Sequence, residues 1–286
     1  MKILFDNSVF MDSSNVAVST NRLNWRAEVL ITRNKEAFVG KRVLDLASHD
    51  GRFSHAALMC GARHVTGVEA RQEHVENARK NFAELGHSEH SYTFIRGDLV
   101  AFLRELEPGQ FDTILLFGVL AHLIETVEVF REIKRVAPTY FILDGWQARE
   151  KLNLVERIRN HKVTEYVKAT QQGGPPVRNS LTHKLTRYWD VLRNPAYKTG
   201  SLIFLYEDAD AAGATIRKSG LMAWPSGSLI EMLFEHFGFV VHQVDWHAQG
   251  VGNWTDIGDY RSGDRASWVA QLNQNAFQDH EFSSAT

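Results

Sequence analysis

The stretch V43-L-D-L-A-S-H-D-G-R-F-S54 begins as a run of apolar residues interrupted by one acid, passes through a short polar turn, and ends on a residue pattern suited to a helix. An apolar strand that feeds a glycine turn and then a helix is the opening unit of an open parallel sheet that binds a nucleotide. Such turns usually carry glycines where this one has Ala47 and His49, and a Cβ disfavours the positive φ that glycine supplies there.

The alternation continues outward from this unit. Downstream come HVTGVEA (64–70), RQEHVENARKNFAELG (71–86), YTFIRGD (92–98), LVAFLRELEPG (99–109), FDTILLFG (111–118), IETVEVFREIKRVAP (124–138) and TYFILDG (139–145). Five short apolar strands separated by amphipathic helices predict an α/β fold built on a doubly wound, mostly parallel sheet. Upstream, STNRLNWRAEVLITRNKEAF (19–38) places Leu23, Ala27, Leu30, Ile31 and Phe38 at helical spacing behind a Ser19 or Thr20 cap. Beyond Gly145 the pattern loosens, with GSLIFLYED (200–208) reading as a strand, and it tightens again in SGSLIEMLFEHFG (226–238, helix), FVVHQVDW (239–246, strand) and RASWVAQL (265–272, strand). The expected organisation is an N-terminal helical extension over 1–39, a cofactor-binding half over 40–145, an inserted α+β substrate cap over 146–225, and the last helix and strands with a tail over 226–286.

Composition narrows the function classes. The 286 residues are 44% hydrophobic and 23% charged, ordinary for a globular protein with ample core. Thirty-two basic and 34 acidic side chains give a formal charge of −2, so no global field favours nucleic acid or a membrane surface. The single cysteine, Cys60, excludes an internal disulfide framework and a cysteine-based zinc cage. The N-terminal MKILFDNSVFMDSSN carries Asp6 and Asn7 in its apolar stretch and does not read as a signal peptide, and no apolar run is long enough for a membrane span. A cytoplasmic setting is the expectation, and an apolar cap and edge helix make a homodimer an option.

In an open parallel sheet, ligands bind beyond the carboxyl ends of the strands. The residues there are Asp45 with the turn Ala47–Gly51, then Glu69, Asp98, Phe117–Gly118 and Asp144. Glu69 follows Gly51 by 18 residues, the spacing at which a carboxylate accepts from both hydroxyls of an adenosine ribose. The turn contains neither a G-x-G-x-x-G nor a G-x-x-x-x-G-K pattern, which argues against a pyrophosphate or triphosphate cradle.

Together, D45-L-A-S-H-D-G51, Glu69, G97-D98-L99 and FDTILLFGVLAHL (111–123) resemble the motifs of class I S-adenosylmethionine-dependent methyltransferases, most closely small-molecule and sugar O-methyltransferases. The resemblance covers 40–145 well and 224–272 loosely, where WPSGSLIEMLFEHFGF is similar to the family's helix leading into strand six. It implies a seven-stranded sheet and S-adenosyl-L-methionine as cofactor. Asp45, Ala47, Ser48, His49 and Gly51 would lie near its methionine end, with Phe117 and Gly118. Glu69 would bind the ribose, while Ala70, Arg71, Asp98 and Leu99 would flank or bond the adenine. His49 stays open between a solvent-facing loop histidine and a functional one.

Methyl transfer to a hydroxyl needs a proton acceptor, and His122 and Asp144 fall on the expected reacting edge. Asp144 with Glu207 or Asp208 is alternatively a set of oxygen ligands for Mg²⁺. Trp146 and Trp189 are candidate pocket walls, whereas Trp246 and Trp268 read as core. The basic and aromatic mix Lys184, Arg187, Tyr188, Trp189, Arg193 and Lys198 could face RNA or simply solvent. The expectation is a transferase that methylates a hydroxyl of a saccharide or natural product. A tRNA-modifying enzyme, which G-V-L-x-H-L at 118–123 also fits, and a non-catalytic cofactor-binding module are the alternatives.

Overall fold

The computed structural model describes residues 3–13, 19–149, 181–182, 185–186, 188–189, 200–208 and 219–273. Its centre is a seven-stranded sheet whose first five strands, β1 (Arg42–Leu46), β2 (His64–Glu69), β3 (Tyr92–Arg96), β4 (Thr113–Phe117) and β5 (Tyr140–Trp146), run parallel. The hairpin strands β6 (Leu202–Tyr206) and β7 (Leu221–Pro225) form a separate antiparallel pair. The chain then returns to the main sheet with β8 (Phe239–Gln243) and β9 (Arg265–Leu272), giving the spatial order β3-β2-β1-β4-β5-β9-β8. Because β9 pairs antiparallel with both β5 and β8, it alone runs against the rest. The order reverses between β1 and β4, which opens a crevice there at the carboxyl edge.

Each central strand is buried on both faces, which is why it reads as a continuous apolar run rather than an alternating one. One face is covered by α2 (Thr20–Leu30), α3 (Arg52–Met59) and α4 (Gln72–Glu84), the other by α5 (Leu99–Glu105), α6 (Thr126–Val136) and α7 (Gly227–His236). Ser19 caps α2 by accepting from Arg22 N, as its sequence position predicts. The helix stops at Leu30, and the chain continues as a 3₁₀ segment with a non-helical Asn34, so Phe38 reaches the core from beyond the kink. The short helix α1 (Val9–Asp12) and the chain before it belong to the same core, since Phe5 and Phe10 are fully buried beside Phe38 and Phe82. A short helix, α8 (Gly258–Ser262), precedes β9. Among the described residues, no helix is long and apolar enough to cross a membrane.

The strand reading of 200–208 places β6 correctly but not its partner, since β7 shows no apolar alternation strong enough to be read from sequence. β7 also packs on the 3₁₀ turn Leu120–His122 that follows β4, which brings this hairpin over the sheet's carboxyl edge.

Candidate functional site

The turn after β1 adopts the conformation that its missing glycines made doubtful. Ala47 and His49 sit at φ 59° and 53°, and Gly51 at φ 84°. Each of the two non-glycine residues stores about 1 kcal/mol of backbone strain, held in place by the surrounding bonds. The His49 N–H donates to Glu69 at 3.1 Å, and the Ser48 N–H donates to the Val68 carbonyl. Asp50, fully buried, accepts both forks of Arg52 (2.7 and 2.6 Å) and the hydroxyl of Ser13, while Asn81 ties its carbonyl to α4. These bonds fasten the turn to α3, α4 and the N-terminal segment. The His49 ring is not free in solvent: it stacks on His74 at 3.9 Å, and that partner is buried with both ring nitrogens lacking a partner among the described residues.

Glu69 ends β2, with one oxygen accepting from His49 N and the other from Arg71 N at 2.9 Å. These main-chain donors orient the carboxylate at the strand's end beside Ala70. Asp98 caps α5, its Oδ1 accepting from Val100 N and Ala101 N, so that Oδ2 takes no part in the cap. Leu99 opens that helix, and its N–H is a first-turn donor without an intrahelical acceptor. At the end of β4, Phe117 packs edge-on against Phe53, and Gly118 at φ 80° donates to the Asp144 carbonyl.

Asp45 turns onto α3 and accepts the Ser54 hydroxyl at 2.7 Å. Burial pushes its carboxyl up to about 7, opposed by that hydrogen bond and reinforced by the nearby charge of Glu69. Between about pH 4 and pH 7 the folded protein therefore holds a proton that the unfolded chain has released, so stability falls as pH rises through this window. Asp45→Asn is expected to raise the melting temperature at pH 8 and leave it unchanged at pH 4, as read by thermal denaturation at the two pH values.

Asp144 requires a correction. Neither a general base nor a Mg²⁺ ligand fits it, because its two oxygens already accept five hydrogen bonds and the side chain is fully buried. Oδ2 accepts from Arg26 (2.6 Å) and twice from Arg265 (3.1 and 2.7 Å), while Oδ1 accepts from Tyr260 (2.9 Å) and Ser267 (2.7 Å). Despite its burial, the two guanidinium groups hold its carboxyl well below the usual carboxylate range. A second cation would meet two arginines there. Among the described residues, no three His, Cys, Asp or Glu side chains are grouped to hold a metal.

His122 stands differently. Its Nδ1 lies 3.1 Å from Glu207 Oε2, a pair that joins the turn after β4 to the end of β6. Glu207 thus faces a histidine rather than Asp144, and Asp208 beside it is exposed. Trp146 stacks on Trp224 at 5.9 Å and 21°. Trp189 is about half exposed against Tyr188, and Lys184, Arg187, Arg193 and Lys198 lie outside the described residues. Trp246 and Trp268 are core, as expected.

Sequence reasoning missed Arg26, Arg265 and Tyr260. The readable signal was Arg26, which sits on the buried face of α2 between Leu23 and Leu30, where an arginine needs a buried partner. A separate cleft of about 400 Å³, lined in part by Arg33, Glu36, Tyr140, His242 and Asp245, contains none of the predicted site residues.

Residues 37–174 match the family model described as a methyltransferase domain. The chain is 36% identical over 96 residues to ribosomal RNA large subunit methyltransferase I of two Klebsiella pneumoniae strains, a match covering 33% of this chain and 24% of theirs. It therefore spans about a quarter of the length of the curated relatives it matches. Among solved structures, an S-adenosylmethionine-dependent methyltransferase from Mesorhizobium loti superposes with a TM-score of 0.51 at 16% identity, over 87% of this chain and 99% of the other. The N-terminal domain of EvdMO1 with SAH bound gives 0.52 at 16% identity, over 87% and 80%.

Proposed function

We propose that this chain, which has the class I methyltransferase fold, is an S-adenosylmethionine-dependent methyltransferase acting on a hydroxyl of a small molecule. One observation carries the methyl-transfer reading: Glu69 is held by main-chain donors at the end of β2, on the same edge as Asp45, Asp98 and Gly118. This donor and acceptor set fits the cofactor. A carboxylate at β2 accepts from two ribose hydroxyls, Asp98 Oδ2 and Leu99 N–H match the amine and a ring nitrogen of adenine, and Asp45 lies behind the turn that would meet an ammonium. When bound, the cofactor supplies an electrophilic methyl group on a sulfonium.

The protein's own part is alignment and proton removal. Glu207 accepts from His122 Nδ1, which fixes the tautomer and leaves Nε2 to take the acceptor's hydroxyl proton. His122 is the proposed base and Glu207 its positioning residue. Trp146 and Trp224 offer an apolar face for a sugar or polyketide-like ring, since β7, which carries Trp224, packs against the His122 turn.

His122→Ala is expected to lower kcat by about 100-fold or more, with the dissociation constant for S-adenosylmethionine unchanged. Glu207→Gln should lower kcat less and displace its pH profile, and Glu207→Asp should restore part of it. A parallel loss of cofactor affinity would make both residues structural. The acceptor class is tested by labelled methyl transfer to saccharides, phenols, natural-product alcohols, total tRNA and ribosomal RNA. The partial identity to the ribosomal RNA enzyme favours RNA as the second reading. Label found only in RNA would overturn the small-molecule assignment.

A further inference from the structure

The Asp144 cluster contains more positive charge than it balances. Arg26 and Arg265 are both more than nine-tenths buried, and the one carboxylate they share is Asp144. The other members do not change the sum. Tyr260 is neutral, with burial pushing its hydroxyl up to about 12, and Arg22 is matched by Asp259 through two bonds at 3.0 and 2.6 Å. Arg26 spends one N–H on Asp144, and its Nε is buried with no acceptor among the described residues. Its guanidinium lies instead over the Phe53 ring at 4.5 Å and near Phe117 at 5.8 Å.

This surplus of one charge sits at the reacting edge. A Cβ on Gly118 would come within 3.1 Å of Arg265 Nη2, so the guanidinium lies directly behind the backbone that follows β4. Unbalanced charge out of water is costly, and a net cation beside a sulfonium-bearing ligand would repel it. A monoanion resolves both difficulties, and a planar carboxylate matches the fork of an arginine.

We propose that Arg26 and Arg265, arranged around Asp144 behind Gly118, recognise a carboxylate carried by a bound ligand. This rests on the methyltransferase reading. The carboxylate comes either from the methionine end of the cofactor or from an acid group on the acceptor, and the two sources separate experimentally.

In one arm, calorimetry compares S-adenosylmethionine with its decarboxylated form on the wild-type protein. In the other, p-hydroxybenzoate and p-hydroxybenzamide are titrated into the complex with S-adenosylhomocysteine. A loss of about tenfold or more on removing the carboxylate in the first arm assigns the site to the cofactor, and the same loss in the second assigns it to the acceptor. Arg26→Gln should abolish whichever preference the wild type shows. Arg26→Lys, which keeps the charge and loses the fork, should retain part of it. Discrimination below about twofold in both arms, or one that survives in a folded Arg26→Gln protein, overturns the proposal. A protein that binds S-adenosylmethionine without discriminating refutes only this inference, whereas one that binds neither form refutes the methyltransferase reading as well.

Discussion

Asp144→Ala is expected to destabilise the fold by about 3–5 kcal/mol, the cost of leaving buried charges without their partner. In a chain of this size that corresponds to a fall in melting temperature of roughly 10 °C. The side chain holds Arg26 and Arg265 against β5 while accepting from Tyr260 and Ser267, so its removal leaves two guanidinium groups and two hydroxyls out of water together. The contribution is present above the ordinary carboxylate range and is lost as pH falls below it, because the folded-state pKa is depressed. Thermal melts of the wild type and the variant at pH 7 and pH 3 measure both effects, with the gap narrowing at the lower pH. A variant that melts with the wild type yet turns over slowly would restore Asp144 as a reacting group.

The second large effect is on the ligand. Glu69→Gln should weaken S-adenosylmethionine binding by about 100-fold or more, since a carboxylate accepting from two hydroxyls makes two charge-assisted hydrogen bonds and a neutral amide cannot replace both. The amide still has one oxygen to accept from His49 N or Arg71 N, so the melting temperature should move by only a few degrees. Equal affinities in the two proteins would remove the ribose from Glu69.

The two effects also mark where sequence was informative. The positions of β1 to β5 along the chain and of the edge residues Asp45, Glu69, Asp98 and Gly118 were legible because each is set by a local strand, turn or cap. Asp144 was misread for a physical reason. The end of β5 is equally suited to a reacting carboxylate and to a buried counter-ion, and the groups that decide between them are 118, 121 and 116 residues away in Arg26, Arg265 and Tyr260. Glu207 reaches His122 across 85 residues, a pairing set by the β6–β7 hairpin rather than by any local pattern. The left-handed conformations of Ala47 and His49 run against local preference, and the bonds from Glu69, Val68 and Asn81 that enforce them are equally non-local.

Asp45 couples the protonation of the turn after β1 to the proposed binding of the cofactor. With the Asp45 carboxyl raised to about 7, ionisation would be favoured by a cationic ligand placed against the turn. Binding should therefore strengthen as pH rises from 6 to 8, the opposite of the pH trend in unliganded stability.

The most direct measurement is a calorimetric titration of S-adenosylmethionine into the wild-type chain at pH 6 and pH 8. The predicted result is one saturable site that binds more tightly at pH 8. No heat of binding at either pH, from protein that still melts cooperatively, would contradict the assignment of this sheet edge to that cofactor.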